Sequence, residues 1–376
     1  MTSPSGKVVL YVHGRTFPSA LSIAYRFDGS CAAATASQGD ASGLGDSFRC
    51  CQNANLPWGD QAGQERTGAL AIVRCEVNLP AAWIDASMME AAIQRAGDPH
   101  GAGVYEVAFR FPVGSKLMID AAIRLLSLAN QIAATSRRVQ LAFDEGEVGT
   151  MGYLNRVGFF DHLTREIEVA PTRPTYSAAS VHRGGNAGLV EIARINKDYR
   201  DQSLPGRLAD AVKRSCATRA DIQELTGAAW TIFAELIDNV FSHSRTPLDG
   251  YAALQVYPRG DRLVVAVSDS GVGIMETLRP ALHNTSPYLA QLSDLDLLVE
   301  IFRQGISRHG SDRGDGLRGS AAKAMKFQAD LDVRLPYQRV RLIPARGAYA
   351  PNTAHCFDHL PLMWGTHIGF TFRLHG

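Results

Sequence analysis

The spacing of apolar positions predicts two short extended segments at the start of the chain, residues 7–17 and 21–28, after which the pattern is lost. From residue 30 to 65 small and polar residues dominate with no period of 2 or 3.6, so loop or irregular structure is expected. Order returns at 104–111, which reads as a strand, and at 117–135, apolar nearly all round as in a buried helix. Residues 138–143 read as another strand, and 151–160 follow as Met-Gly-Tyr-Leu-Asn-Arg-Val-Gly-Phe-Phe. Residues 171–188 mix Pro, Gly and Ser, the composition of a linker, and place a domain boundary there.

The second half is more strongly patterned. Residues 221–242 hold helical spacing with Asp221 near the start, and Ile232, Phe233, Leu236, Ile237 and Val240 form one apolar stripe. Glu235 and Asn239, four apart, stack one turn from each other on a neighbouring face. Strands at 251–257 and 262–268 flank Pro258-Arg259-Gly260-Asp261, a hairpin turn. A helix is expected over 294–304, then a glycine-rich loop, a helix from about Gly319 and a last strand at 366–374.

Length and composition bound the answer. A chain of 376 residues has room for two or three domains, and 45% hydrophobic with 20% charged residues is ordinary for a globular protein. Lys+Arg 38 against Asp+Glu 37 leaves +1, which withholds the usual electrostatic support for nucleic acid or an anionic membrane as main partner. The six cysteines form no C-x-x-C pair, so a zinc site is not indicated. The apolar run at 8–12 is too short for a signal peptide, and no uncharged run approaches a membrane span. A cytoplasmic location is the expectation.

Candidate chemistry gathers in the second half. The strand at 262–268 runs into Asp269-Ser270-Gly271-Val272-Gly273-Ile274, a carboxylate at a strand end beside two glycines that admit close approach of a ligand. Gly310-Ser311-Asp312-Arg313-Gly314-Asp315-Gly316-Leu317-Arg318-Gly319 reads as a glycine-rich loop leading into a helix, a junction whose backbone N–H groups suit phosphate. Trp-Gly-Thr at 364–366 comes near the end.

The ordered set Glu-Leu-Ile-Asp-Asn, Asp-Ser-Gly-Val-Gly-Ile, Gly-Asp-Gly-Leu-Arg-Gly and Trp-Gly-Thr resembles the GHKL superfamily of gyrase B subunits, ATP-dependent chaperones, histidine kinases and MutL proteins, over 189–376. The resemblance implies a Bergerat-type α/β sandwich in the α+β class, a mixed, mostly antiparallel sheet with helices on one face, holding ATP and Mg²⁺ under a lid. By the same resemblance Asp269 accepts the adenine amino proton, Asn239 holds Mg²⁺, and Glu235 is the general base that activates water. Gly271 and Gly273 admit the nucleotide, Gly314, Gly316, Leu317, Arg318 and Gly319 wrap the phosphates, and Thr366 bonds near adenine. Upstream, 96–170 is similar to small α/β STAS-type signalling domains; it carries no chemical motif, so a structural or protein-contact role is expected after an irregular region 1–95.

None of the eleven histidines has the setting of a phosphoacceptor on a dimerisation helix, which disfavours an autophosphorylating kinase. The expectation is a Mg²⁺-dependent, slow ATPase acting as an ATP-gated switch in bacterial signalling, with a protein partner or a second copy. The alternatives are a serine/threonine kinase of the anti-sigma type or a histidine protein kinase, and a nucleotide sensor that does not hydrolyse. Asp238 and His243 have plain alternatives as a helix-surface carboxylate and a helix-end cap.

Overall fold

The computed structural model describes residues 21–27, 30–36, 73–196, 198, 200–243, 245–304 and 316–375. The chain forms two compact units, Met1–Thr67 and Gly68–Gly376.

In the first unit, β1 (Leu21–Phe27) pairs antiparallel with β2 (Ser30–Ala36) from Leu21 opposite Ala36 to Phe27 opposite Ser30. The partner of β1 is thus the segment after it, in a stretch expected to be irregular, while 7–17 lies outside the described residues. The sequence between the two strands is Asp28-Gly29, a strong hairpin dipeptide. The run Ser-Cys-Ala-Ala-Ala-Thr-Ala hides a strand because it lacks the alternation of apolar and polar residues that marks one.

The second unit opens with β3 (Val73–Asn78), β4 (Trp83–Ile84), α1 (Ala86–Ala96), β5 (Val104–Phe111), β6 (Lys116–Leu117), α2 (Ile119–Ala134) and β7 (Arg138–Phe143). There follow α3 (Thr150–Val157), α4 (Phe159–His162), β8 (Glu168–Ala170) and α5 (Ala178–His182). Strands β3, β5, β7 and β8 pair in that order, all parallel. Asp85 caps α1 by accepting from the Met88 N–H at 2.9 Å.

The remaining elements are β9 (Leu189–Ile195), α6 (Leu204–Ser215), α7 (Ile222–His243), β10 (Gly250–Tyr257), β11 (Arg262–Ser268), α8 (Ile274–Thr285), α9 (Pro287–Ala290) and α10 (Asp294–Gln304). After them come α11 (Gly316–Lys326), β12 (Asp330–Arg334), β13 (Arg339–Ala345), β14 (Ala348–Pro351) and β15 (His367–Arg373). These strands form a seven-stranded sheet in the order β14-β13-β12-β15-β11-β10-β9. Every pairing in it is antiparallel, where a mixed sheet was expected. The protein is therefore α/β with one parallel and one antiparallel main sheet.

Both faces of the antiparallel sheet are covered, whereas helices were expected on one. Leu263, Val265 and Val267 of β11 join the core formed by α6, α7, α8, α10 and α11, while Val264 and Ala266 join the core formed by α1, α2 and the parallel sheet. A strand buried on both sides loses its polar positions, which is why β11 reads as a continuous apolar run. Helix α2 is apolar all round for the same reason: it packs on β10 and β11 on one side and on β7 on the other.

The expected partition of the chain at 95/96 and 171–188 does not follow the packing. Strand β3 pairs with β5 across residue 95, and Leu189, Ile192 and Tyr251 share the core of α2. Within 171–188, Arg173 donates to the carbonyls of Leu163, Thr164 and Ile167, and Ala178 and Ala179 are buried. A Pro-, Gly- and Ser-rich composition marks a connection here, but one pinned to the core by side chains the composition does not weigh.

Candidate functional site

The pairing of β11 with β15 puts Ser268 opposite His367, so the residues just outside those strand ends, Asp269 and Thr366, lie side by side. They bond to each other through two 3.1 Å contacts: the Asp269 N–H donates to the Thr366 carbonyl, and the Thr366 N–H donates to Asp269 Oδ2. Gly271 N–H donates to Asp269 Oδ1 at 2.7 Å, and Thr366 Oγ1 accepts from the Ile274 N–H at 3.1 Å. The carboxylate is only 9% exposed, and burial pushes its pKa up to about 6 against the two N–H groups that favour its charge.

Two glycines let these segments meet. Gly365 has φ +91, and a Cβ there would stand 2.1 Å from the Asp269 carbonyl oxygen and 2.7 Å from Oδ1. Gly273 has φ +83 and precedes α8, with Pro336 Cγ 3.3 Å from where a Cβ would be.

Between these strand ends and α7 lies a cavity lined by Asn239, Val240, Val267, Asp269, Gly273, Ile274, Thr277, Thr366 and Ile368. It has apolar walls and a few convergent polar groups, the lining common to small-molecule sites. Four of the residues expected from sequence, Asn239, Asp269, Gly273 and Thr366, form part of its wall. Gly271 is behind it, holding the Asp269 carboxylate. The Asn239 Nδ2 is buried without a hydrogen-bond partner. An unpaired buried amide beside a cavity is a group whose partner a ligand or a water can supply.

Glu235 is not part of the cavity wall. It sits half-buried one turn before Asn239, with its pKa raised first by burial and then by the Asp238 charge, while the Asn239 amide, close by but without full hydrogen-bond geometry, and then Lys323 oppose the shift. Asp238 itself is engaged at the surface, 2.8 Å from Arg200. Gly316, Leu317, Arg318 and Gly319 belong to the start of α11 rather than to a loop before it. Helix geometry tolerates glycine in its first turn, whose N–H groups have no partner within the helix, so Gly-Leu-Arg-Gly reads as loop while folding as helix. Gly314 lies outside the described residues.

A polar chain not expected from sequence closes the rear of the site. Gln131 of α2 donates from Nε2 to the Trp364 carbonyl at 2.9 Å and to Ser270 Oγ at 3.0 Å, and its Oε1 accepts from the Trp364 N–H at 2.8 Å. His367, held neutral by burial and by Arg124 and Arg334, donates from Nε2 to the same carbonyl at 3.1 Å. Its Nδ1 then accepts from Ser268 Oγ at 2.5 Å, and Ser268 Oγ in turn accepts from Ser127 Oγ of α2 at 2.6 Å. The His100 ring stacks on Trp364 with centroids 5.1 Å apart. Only Trp-Gly-Thr signalled this wall in the sequence; Gln131 and Ser127 sit in a helix that reads as plain core.

Among the described residues no group of three or more His, Cys, Asp or Glu side chains is placed to hold a metal, and no helix is long and apolar enough to cross a membrane. Compared with protein-family models and with curated proteins, the chain matches neither a family model nor a curated protein.

Proposed function

We propose that this cavity is an ATP site and that the protein is a Mg²⁺-dependent nucleotide switch with slow ATPase activity, built on a Bergerat-type sandwich. The observation that carries the reading is the convergence of Asn239, Asp269, Gly273 and Thr366, from three separate stretches of sequence, on one cavity. An ionised Asp269 offers acceptors to an exocyclic amino group such as that of adenine, and would meet the carbonyl of guanine with repulsion. Val240, Val267, Ile274 and Ile368 give a planar base apolar walls. Asn239 is the residue to hold Mg²⁺, which takes few protein ligands and completes its shell with phosphate and water.

Calorimetry with Mg·ATP tests the reading. Wild-type protein should bind, and Asp269→Asn should weaken binding at least tenfold, the loss of a charge-assisted acceptor worth roughly 1.5–3 kcal/mol. Equal affinity in the two proteins refutes the assignment.

A second reading, nucleotide binding without hydrolysis, is favoured by the position of Glu235 off the cavity wall. Single-turnover hydrolysis by Glu235→Ala separates the two. A general base predicts a fall of roughly 10²–10⁴-fold at preserved affinity, and unchanged turnover at full occupancy removes Glu235 from catalysis. Transfer of label from ATP to a partner protein would instead mark a kinase.

A further inference from the structure

We propose that Gln131 is the positioning residue of the base pocket, so that helix α2 of the parallel α/β layer is a working part of the nucleotide site; this rests on the ATP reading above. The side chain is fully buried, and both ends of its amide are spent on the backbone of one residue far away in the chain, the carbonyl and the N–H of Trp364. A glutamine amide used this way copies the pairing of a neighbouring strand, and it fixes the plane and direction of the segment it holds.

That segment needs fixing. Gly365 follows Trp364 in a left-handed conformation that only a residue without Cβ accepts here, and a glycine so placed is free to turn unless its neighbours are held. Thr366, the next residue, donates its N–H to Asp269 Oδ2, and its hydroxyl oxygen accepts from the Ile274 N–H at the start of α8. The third bond of Gln131, to Ser270 Oγ, ties down the residue on the other side of Asp269. Both flanks of the base-reading carboxylate are therefore referenced to one side chain on α2. Apolar residues at position 131 would fill the space but leave the Trp364 N–H buried and unpaired, so packing alone does not call for glutamine.

The consequence is specific to the base. Gln131→Met keeps the length of the side chain and removes all three bonds. It should weaken Mg·ATP binding by about tenfold and lower the preference for ATP over GTP by a comparable factor, with the Mg²⁺ dependence of binding unchanged. A purely structural glutamine predicts a lower melting temperature with wild-type affinity and base preference, and that result overturns the proposal. If Gln131→Met does not fold, Ser270→Ala carries the test, because it removes one of the three bonds without touching the helix. Roughly a twofold to fivefold loss of ATP preference is then expected, and an unchanged preference overturns the proposal. Failure of the wild-type protein to bind ATP overturns the site reading and this proposal together; wild-type binding with unaltered variants overturns this proposal alone.

Discussion

The same strands of the antiparallel sheet bury their two faces by different chemistry. Toward α7 the contacts are apolar, with Leu254, Leu263, Val265, Phe370 and Phe372 meeting Phe233, Leu236 and the other helices, and the layer parts at one end to leave the cavity. Toward α1 and α2 the apolar contacts are interrupted by a buried ionic cluster. Arg334 Nε stands 2.9 Å from Glu90 and Arg339 Nη2 2.6 Å from Asp332, while Arg124 pairs with Asp332 and lies 3.7 Å from Glu90. Burial acts to raise the Asp332 pKa, but Arg339 and then Arg124 outweigh it and hold the carboxyl well below its usual range.

The difference teaches how the molecule separates rigidity from binding. An apolar contact is non-directional and tolerates a gap that a ligand can fill. Buried charges require fixed partners, so a layer joined through them has one register and little freedom to slide. From this α/β layer Gln131 and Ser127 bond to Trp364, Ser270 and Ser268, the residues next to Gly365 and Asp269.

If that contrast holds, the largest effect should come from the ionic face. Asp332→Asn leaves Arg124 and Arg339 buried with their main counter-charge gone, and urea unfolding should show a loss of about 3–5 kcal/mol. A loss near zero would mean that the cluster is dispensable and the two faces are energetically alike.

Asp269 and Asp332 should respond to pH with opposite signs. The Asp269 pKa is raised from 3.8 to about 6, so the folded state prefers its protonated form. Its contribution to stability therefore falls as pH rises between those values, by up to about 3 kcal/mol. Asp332, held low, stabilises at pH above the ordinary carboxylate value and loses that contribution as pH falls below it. Urea midpoints from pH 3 to 7 for wild type, Asp269→Asn and Asp332→Asn should diverge in these opposite directions. If the cavity takes ATP through Asp269, as proposed above, binding should also weaken toward tenfold per pH unit below about 6, where Asp269 is protonated.

Gly365→Ala should cost about 1–3 kcal/mol from backbone strain, with a further displacement of Asp269 that removes ligand binding; wild-type calorimetry in this variant would show that the close approach is not needed. The smallest effect belongs to the surface. Asp238→Asn breaks the half-exposed pair with Arg200, and stability should change by no more than about 0.5 kcal/mol. A larger change would give the outer face of α7 a role the present contrast denies it.

Much of the site was legible in the chain, and the reason is local. A carboxylate at the end of a strand, glycines beside it and Trp-Gly-Thr before the last strand are short patterns whose conformations are set within a few residues. The element pattern was less complete. Helix α6 and strands β12 to β14 were not anticipated, since strands of four to seven residues with charged positions, such as Asp-Leu-Asp-Val-Arg in β12, carry a weak signal. Of the charges that obscured β12, Asp332 pairs with Arg124 of α2 and Arg334 with Glu90 of α1.

By itself the sequence determined the apolar stripe of α7, the hairpin of β10 and β11, the buried character of α2 and four of the residues that line the cavity, Asn239, Asp269, Gly273 and Thr366. These follow from periodicity and from the narrow choice of residues at strand ends and close approaches. Only the tertiary structure decided that α2 is buried between two sheets, that Glu90 and Asp332 meet arginines more than 200 positions away in the chain, as Arg334 and Arg124 do, and that Gln131 holds Trp364 across 233 positions. A side chain's partner across such distances is chosen by which faces the folding of both layers brings together, and no spacing within either segment records that choice.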